Sequence, residues 1–366
     1  MPCAQNVLKE WSQFMFYREC SNFKDSYASD MAIFPIPLDR WGFIVMLFIA
    51  FVIIPLFASE YLIANIIIPF YCFALAAFGL NLLAGYAGQI SIGHAAFMAV
   101  GAYATFNLYG RLGVPLIPSI LGGGLISAAV GALFGLPSLR IKGFYLAIAT
   151  LASQFLIEWV IVHVKWISGG VFGTIEAPKM FIFGFAIDTA VKKYYLALCI
   201  MAVLMTLGKN LVRGQLGRNW MAIRDVDYAA EIIGVNLYRD KLTAFAVSTF
   251  YAGVAGALLC FCYLGAANIE GFSVLVSFAM LGMIIVGGLG TVLGSFLGAG
   301  FFVMLPIAIN QSLGSFMEVV PADILSNIES IIFGGLIVFF LIVEPYGMAR
   351  LWHTIKDKLR LWPFPY

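Results

Sequence analysis

Long apolar stretches separated by short polar connections run through the chain from about residue 42 to residue 343. A helix needs roughly 20 apolar residues to cross the hydrocarbon core of a bilayer. Segments 42–59, 61–84, 89–109, 115–136, 144–164, 194–211, 242–264, 273–289, 291–310 and 324–343 reach that length or nearly so. The pattern predicts an all-α fold, a polytopic transmembrane helical bundle of about ten spans. Glycines interrupt the third, eighth and ninth segments, so these are expected to be broken or re-entrant rather than straight.

Two polar stretches do not span. Residues 165–193 hold Gly169, Gly170, Gly173 and Pro178, followed by the apolar run 180–187, which is too short to cross and predicts a small cap or hairpin. Residues 212–241 form a second long loop. Lys and Arg favour the inner side of a membrane protein. With an inner N-terminus and alternating spans, only five of the 21 Lys and Arg fall outside: Arg111, Lys165, Lys179, Lys192 and Lys193. Both termini are therefore expected in the cytoplasm. The chain divides into an N-terminal cytoplasmic or interfacial tail (1–40), a membrane domain (41–345) and a C-terminal cytoplasmic tail (346–366).

Composition narrows the function. The 366 residues are 62% hydrophobic and 11% charged, against about 25% charged in soluble domains. A net charge of +2 is too small to point to a nucleic-acid partner. The six cysteines are scattered, and Cys260 and Cys262 are two apart, which turns them about 200° from each other on a helix. His94, His163 and His353 have no Cys or His neighbour at ligand spacing, so no metal site is expected. The first 40 residues mix acids and bases with no long apolar core, unlike a cleavable signal peptide. Trp11, Phe14, Phe16 and Tyr17 in that tail suit a membrane surface, and a solvated tail fits equally well.

Within the second loop, residues 218–234 read RNWMAIRDVDYAAEIIG. Ala222, Val226, Ala229, Ala230 and Ile233 recur at helical spacing, which predicts one short amphipathic helix with a shallow apolar stripe. Arg224, Asp227 and Glu231 are expected as neighbours on the other side. Gly234 is a natural stop. Two readings stay open: insertion into a cleft of a cytoplasmic partner, or a helix resting on lipid headgroups.

The pattern Ala229-Ala230-x-x-x-Gly234, preceded by Gly217-Arg218 and Arg224-Asp225, resembles the coupling loop of importer-type ABC permeases. Tyr228 stands directly before the alanines and the acid is one place earlier, at Asp227, as in the hydrophobic (branched-chain) amino acid permeases of the M type. GLNLLAGYAGQISIGHAAFMAVGAY at 79–103, GLPSLRIKGFYLAIATLA at 135–152 and IIVGGLGTVLG at 284–294 resemble that family's blocks. The resemblance implies a bacterial inner-membrane transporter built from two homologous permease subunits, two cytoplasmic ATPase subunits and a periplasmic substrate-binding protein. It implies that Arg224, Asp227, Ala229, Ala230 and Gly234 couple to the ATPase, and that Gly169 and Gly170 face the binding protein. ATP and Mg would be used by the partner subunits, with no cofactor on this chain. Phe155 stands where many members carry an acid, with Glu158 one turn later, and related permeases handle urea, amides and aromatic or dicarboxylic acids.

Polar groups at membrane depth are costly unless they find partners or line a wet cavity. Residues 85–101 place Gln89, Ser91 and His94 among Gly85, Gly88, Gly93 and Gly101. Such a break exposes backbone groups able to hold a zwitterion on a substrate pathway, whereas tight packing through glycines explains the same pattern. A second cluster, Gly287, Gly288, Gly290, Gly294 and Gly298, raises the expectation of an inverted repeat. Glu158 is a candidate for gating or substrate-amine contact, or for simple pairing with Lys165.

Three functions suit such a chain: an importer permease, a self-sufficient secondary transporter or channel, and a membrane enzyme. Clustered catalytic groups are missing from the sequence, charged relays within the spans are nearly so, and there is no GxxxxGK[ST] phosphate loop. The permease, with hydrolysis supplied by another chain, fits best.

Overall fold

The computed structural model describes residues 37–139, 143–169, 173–182, 184–313, 322–344 and 346–361. Nearly all of the N-terminal tail, Arg140, Lys142 and Gly170 lie outside the described residues. The described residues are predominantly helical. In order come α1 (Arg40–Phe57), α2 (Glu60–Tyr86), α3 (His94–Phe106), α4 (Leu116–Gly135), α5 (Phe144–His163) and α6 (Ala190–Arg213). Then follow α7 (Gln215–Asp225), α8 (Asp227–Ile232), α9 (Leu237–Leu264), α10 (Val274–Gly287), α11 (Val292–Leu313), α12 (Ala322–Val343) and α13 (Gly347–Leu361). Of the described residues, those within 60–349 belong to one compact unit, and 37–59 with 350–361 to another.

Among the described residues, eight helices are long and apolar enough to cross a membrane, or nine if the bent pair 334–343 and 347–356 is one span. A polytopic bundle is thus borne out, and the segment that departs most from a simple span is the third. Only His94–Phe106 of residues 89–109 is α-helical, prolonged by a π-helical stretch to Arg111. Gly88 adopts φ +69°, a left-handed conformation that ends the run from α2, and residues 88–93 carry no helix.

Close approach of backbones organises the main unit. Between helices in lipid the association runs on packing and hydrogen bonds, which favours small residues at crossings. The shortened α3 lies against α4 and α9 at the centre of the unit. A Cβ on Gly101 would collide with the backbone of Gly253, one on Gly256 with the carbonyl of Met98, and one on Gly131 with Thr249. Around these crossings Phe78 meets Tyr251 edge-on, with ring centroids 5.3 Å apart, and Phe97 meets Phe245 at 5.9 Å.

The eighth and ninth segments are not broken. α10 and α11 are continuous helices joined by the short turn 288–291, and their glycines serve packing: a Cβ on Gly287 would strike the Gly294 carbonyl, and one on Gly298 the Met283 carbonyl. At the end of the unit remote from α7 and α8, the 165–193 loop contributes to two minimal sheets, one within itself and one with the segment after α9. β1 (Ile175–Glu176) pairs antiparallel with β4 (Ala266–Ala267), and β2 (Phe181–Ile182) with β3 (Phe185–Ala186). The Tyr103 hydroxyl donates to the Gly173 carbonyl, which fastens this loop over the end of α3.

Candidate functional site

The loop 212–241 is anchored by a tryptophan. Trp220 of α7 is fully buried and donates from Nε1 to the Asp240 carbonyl at 3.0 Å, while Asn219 donates to the Asp240 carboxylate at 2.9 Å. α9 begins at Leu237, earlier than its apolar run, so Asp240 lies inside the helix and is buried. The single amphipathic helix expected over 218–234 is instead two. Val226 is extended (φ −151°, ψ 99°) and separates α7 from α8. α8 closes on Gly234 (φ +92°), whose N–H donates to the Glu231 carbonyl at 3.0 Å while Val235 N–H donates to the Ala230 carbonyl at 3.0 Å. This 5→2 and 6→1 pair is the glycine-terminated helix end.

The break changes which residues share a face. The helical phase restarts at Asp227, so spacing across Val226 no longer defines one stripe. Ala230 is 1% exposed and packs inward, whereas Val226, Ala229 and Ile233 face out. The outward apolar surface of α8 is completed by Tyr228 and by Ile232, 86% exposed. The charged residues part as well. Arg224 pairs with Asp225 at 2.9 Å, and Asp227 lies 3.7 Å from Lys241 of α9.

Arg224 also connects the 212–241 loop to the end of α2. Its Nη1 donates to the Gly85 carbonyl at the end of α2, 2.9 Å away. Gly88 leaves room for the arginine stem: a Cβ there would lie 3.0 Å from Arg224 Cγ. A Cβ on Gly290 would lie 3.5 Å from Arg224 Nη1. The α7–α8 junction therefore touches both glycine clusters, at Gly85 and Gly88 and at Gly290. Gly287 and Gly288 sit behind this contact against α11 and against residues 346–349, respectively.

Beyond Gly88, Gln89, Ser91 and His94 are buried, and none of their side-chain polar atoms has a hydrogen-bond partner among the described residues. The start of α3 is capped by other helices: Ala95 N–H donates to Ser277 Oγ and Ala96 N–H to Gln154 Oε1, both at 2.8 Å. Glu158 does not stand alone, since its Oε1 accepts from Gln154 Nε2 at 2.6 Å. Gly169 (φ +70°) lies at the far end beside Arg111, away from these groups. Asn81, Gln154, Trp220 and Ser277 were missed from the sequence. Asn81 and Gln154 carry the signal of an amide inside an apolar run.

A cavity of about 340 Å³ opens between the 87–89 segment and the α7–α8 junction. Gln89, Arg224, Asp225, Asp227 and Lys241 line its polar part, and Leu146 and Ile223 its apolar part.

The family model described as the branched-chain amino acid transport system permease component matches residues 62–341. The chain is similar to the high-affinity branched-chain amino acid transport system permease protein LivM of Salmonella typhimurium, with 29% identity over 308 residues, covering 76% of this chain and 68% of the relative. Escherichia coli LivM gives 29% over 304 residues with the same coverage. A probable branched-chain amino acid transport permease protein LivM of Methanocaldococcus jannaschii gives 23% over 328 residues, with 78% and 93% covered. No solved structure matches. Apolar helices long enough to span and a family match over most of the bundle lead to one assignment: this multi-pass membrane protein belongs to the permease components of branched-chain amino acid transport systems.

Proposed function

We propose that the chain is a membrane-spanning subunit of an ATP-binding-cassette importer for branched-chain or related hydrophobic amino acids. It works with a homologous second permease subunit, two cytoplasmic ATPase subunits that use ATP and Mg, and a periplasmic binding protein that delivers substrate. The lipid is the bacterial inner membrane, with both termini and the α7–α8 loop in the cytoplasm and residues 165–193 toward the binding protein, Gly169 and Gly170 included.

The observation that supports this reading is the linkage through Arg224. On one side of the α7–α8 junction stands the exposed apolar surface of Tyr228, Ala229 and Ile232, suited to a cleft on a partner protein. On the other, Arg224 holds the end of α2 through Gly85. Force applied at α8 thus reaches the glycine break that precedes α3. Asp227, Ala230 and Gly234 keep α8 in shape, through Lys241, inward packing and the left-handed stop. Gln89, Ser91 and His94, with Gly287, Gly288 and Gly290 framing the turn, are the proposed inner portion of the substrate pathway, and Glu158, nearer the 165–193 end of α5, is a proposed outer contact.

Two substitutions test the reading. Ile232→Glu places a charge on an exposed position and is expected to abolish copurification of the ATPase while the permease stays in the membrane. Arg224→Lys keeps the charge but loses the planar fork that serves Gly85 and Asp225 together. It is expected to keep ATPase binding and hydrolysis while amino acid uptake into proteoliposomes falls about tenfold, on the order of 1.4 kcal/mol. Normal uptake and normal ATPase copurification by Ile232→Glu would defeat the proposal.

A further inference from the structure

Residues 347–361 read GMARLWHTIKDKLRL and form α13 as one continuous helix. Leu351, Trp352 and Ile355 lie at neighbouring positions on one helix face, and all three are exposed, Trp352 by 52%. Arg350 and His353, also exposed, fall on the opposite side. An apolar face of this kind is unfavourable in water. The five charged residues Arg350, Lys356, Asp357, Lys358 and Arg360 exclude the helix from the hydrocarbon core just as firmly. Only the boundary between the two media satisfies both faces.

α13 starts where such a boundary is expected. Gly347 and Ala349, in its first turn, are buried against the turn between α10 and α11. A Cβ on Gly347 would collide with the Gly288 nitrogen, and one on Gly288 would lie 3.1 Å from Ala349 Cβ. Gly290 of the same turn stands beside Arg224. The helix therefore begins at the α7–α8 end of the main unit, directly after the apolar run of α12 closes at Val343.

Charge selects the lipid. α13 carries four Lys and Arg against one Asp. Lys358 follows Leu351 by seven residues, about two helical turns, so it stands at the rim of the apolar face, and it is exposed. From that rim a lysine lays its methylene stem along apolar surface and carries its ammonium to the headgroups. Trp352 is the residue type that settles at headgroup depth.

We infer that α13 is a surface helix for anionic phospholipid in the leaflet on the α7–α8 side, with Leu351, Trp352 and Ile355 in the acyl boundary and Lys358 at the headgroup. This assignment is independent of the importer reading, since it needs only the chain and a bilayer. Because the first turn of α13 packs on Gly288, lipid held by the helix also braces the turn that Gly290 shares with Arg224.

The test is photocrosslinking of the full chain in nanodiscs of phosphatidylcholine with about one-third phosphatidylglycerol. Benzoylphenylalanine substituted at Trp352, or at Ile355, is expected to give lipid adducts by mass spectrometry, whereas at His353 it gives few. The ratio of phosphatidylglycerol to phosphatidylcholine adducts is expected to exceed the bilayer's own ratio about fivefold, the preference that one basic side chain confers at an anionic surface. Lys358→Glu, at an exposed position, is expected to return that ratio to the bilayer's. Salt at about 1 M, where the Debye length falls to about 3 Å, is expected to do the same. Adducts in simple proportion to bilayer composition, an unchanged ratio in Lys358→Glu, or equal lipid labelling from His353 would each overturn the assignment. Crosslinks from Trp352 and Ile355 to protein in place of lipid would overturn it too, and give the face to a polypeptide partner.

Discussion

Asn81 holds Gly290 across the interior of the main unit: its Oδ1 accepts from the Gly290 N–H at 2.8 Å, although 209 residues separate them. The same side chain donates from Nδ2 to the Thr291 carbonyl at 2.7 Å and to Ser295 Oγ at 2.9 Å. One amide on α2 therefore clamps the turn between α10 and α11, beside the carbonyl that Arg224 uses. Its position so close to Gly85 is what makes glycine necessary there, since a Cβ would overlap both Asn81 Oδ1 and Gly290 N.

Asn81→Ala is expected to lower stability by about 2 kcal/mol, because it strands three partly or fully buried groups at once. Interhelical hydrogen bonds in membrane proteins average about 0.6 kcal/mol each, which keeps the figure from rising further. Ser295→Ala removes one of the three and should cost less than half as much. Thermal unfolding of the purified protein in detergent checks the order; equal effects would show that Asn81 is not the clamp.

Glycines in this chain do two different jobs, and substitution separates them. Gly101 faces the backbone of Gly253, which has no rotamer with which to yield. Gly101→Ala should therefore destabilise the whole unit by about 1–3 kcal/mol. Gly234 faces open space, and only its φ of +92° resists a side chain. Gly234→Ala should cost about 1–2 kcal/mol of local helix-end stability. Global unfolding temperature is expected to drop for the first variant alone, and proteolytic nicking within 212–241 to rise for the second alone.

The spans were legible because apolar length is a local property, and so was the helix stop at Gly234. The interruption after α2 was visible in its glycines, although the same signal misled at α10 and α11, where glycines pack continuous helices. The break at Val226 was not legible, because a valine carries no breaking signal and both flanks keep helical spacing. Once the phase restarts, Ala230 turns inward and the expected pairing of Arg224 with Asp227 disappears. Arg224 with Gly85 and Asn81 with Gly290 are separated by 139 and 209 residues, so only packing creates them. The sequence offers Glu158 as a gating group or a partner for Lys165, yet it belongs to a small network whose centre, Gln154, carries only the weak signal of an amide in an apolar run.

That network governs the start of α3. Gln154 Oε1 accepts from Ala96 N–H, while Nε2 donates to the Phe272 carbonyl at 2.7 Å and to Glu158. The first N–H groups of a helix have no partner within the helix, so here α5 supplies one from outside. Gln154→Leu should cost about 2–3 kcal/mol by leaving Ala96 N–H, the Phe272 carbonyl and Glu158 unpaired together. Gln154→Glu keeps the acceptor for Ala96 but sets one carboxylate against another, and should be nearly as harmful. Adding Glu158→Gln returns a donor facing an acceptor at that pair, while the bond to Phe272 stays lost. The double variant Gln154→Glu/Glu158→Gln should therefore recover about half of the lost stability, a coupling of roughly 1 kcal/mol in a double-mutant cycle. Strictly additive effects in that cycle would mean that the two side chains do not work as a pair, and that Glu158 is held by something other than Gln154.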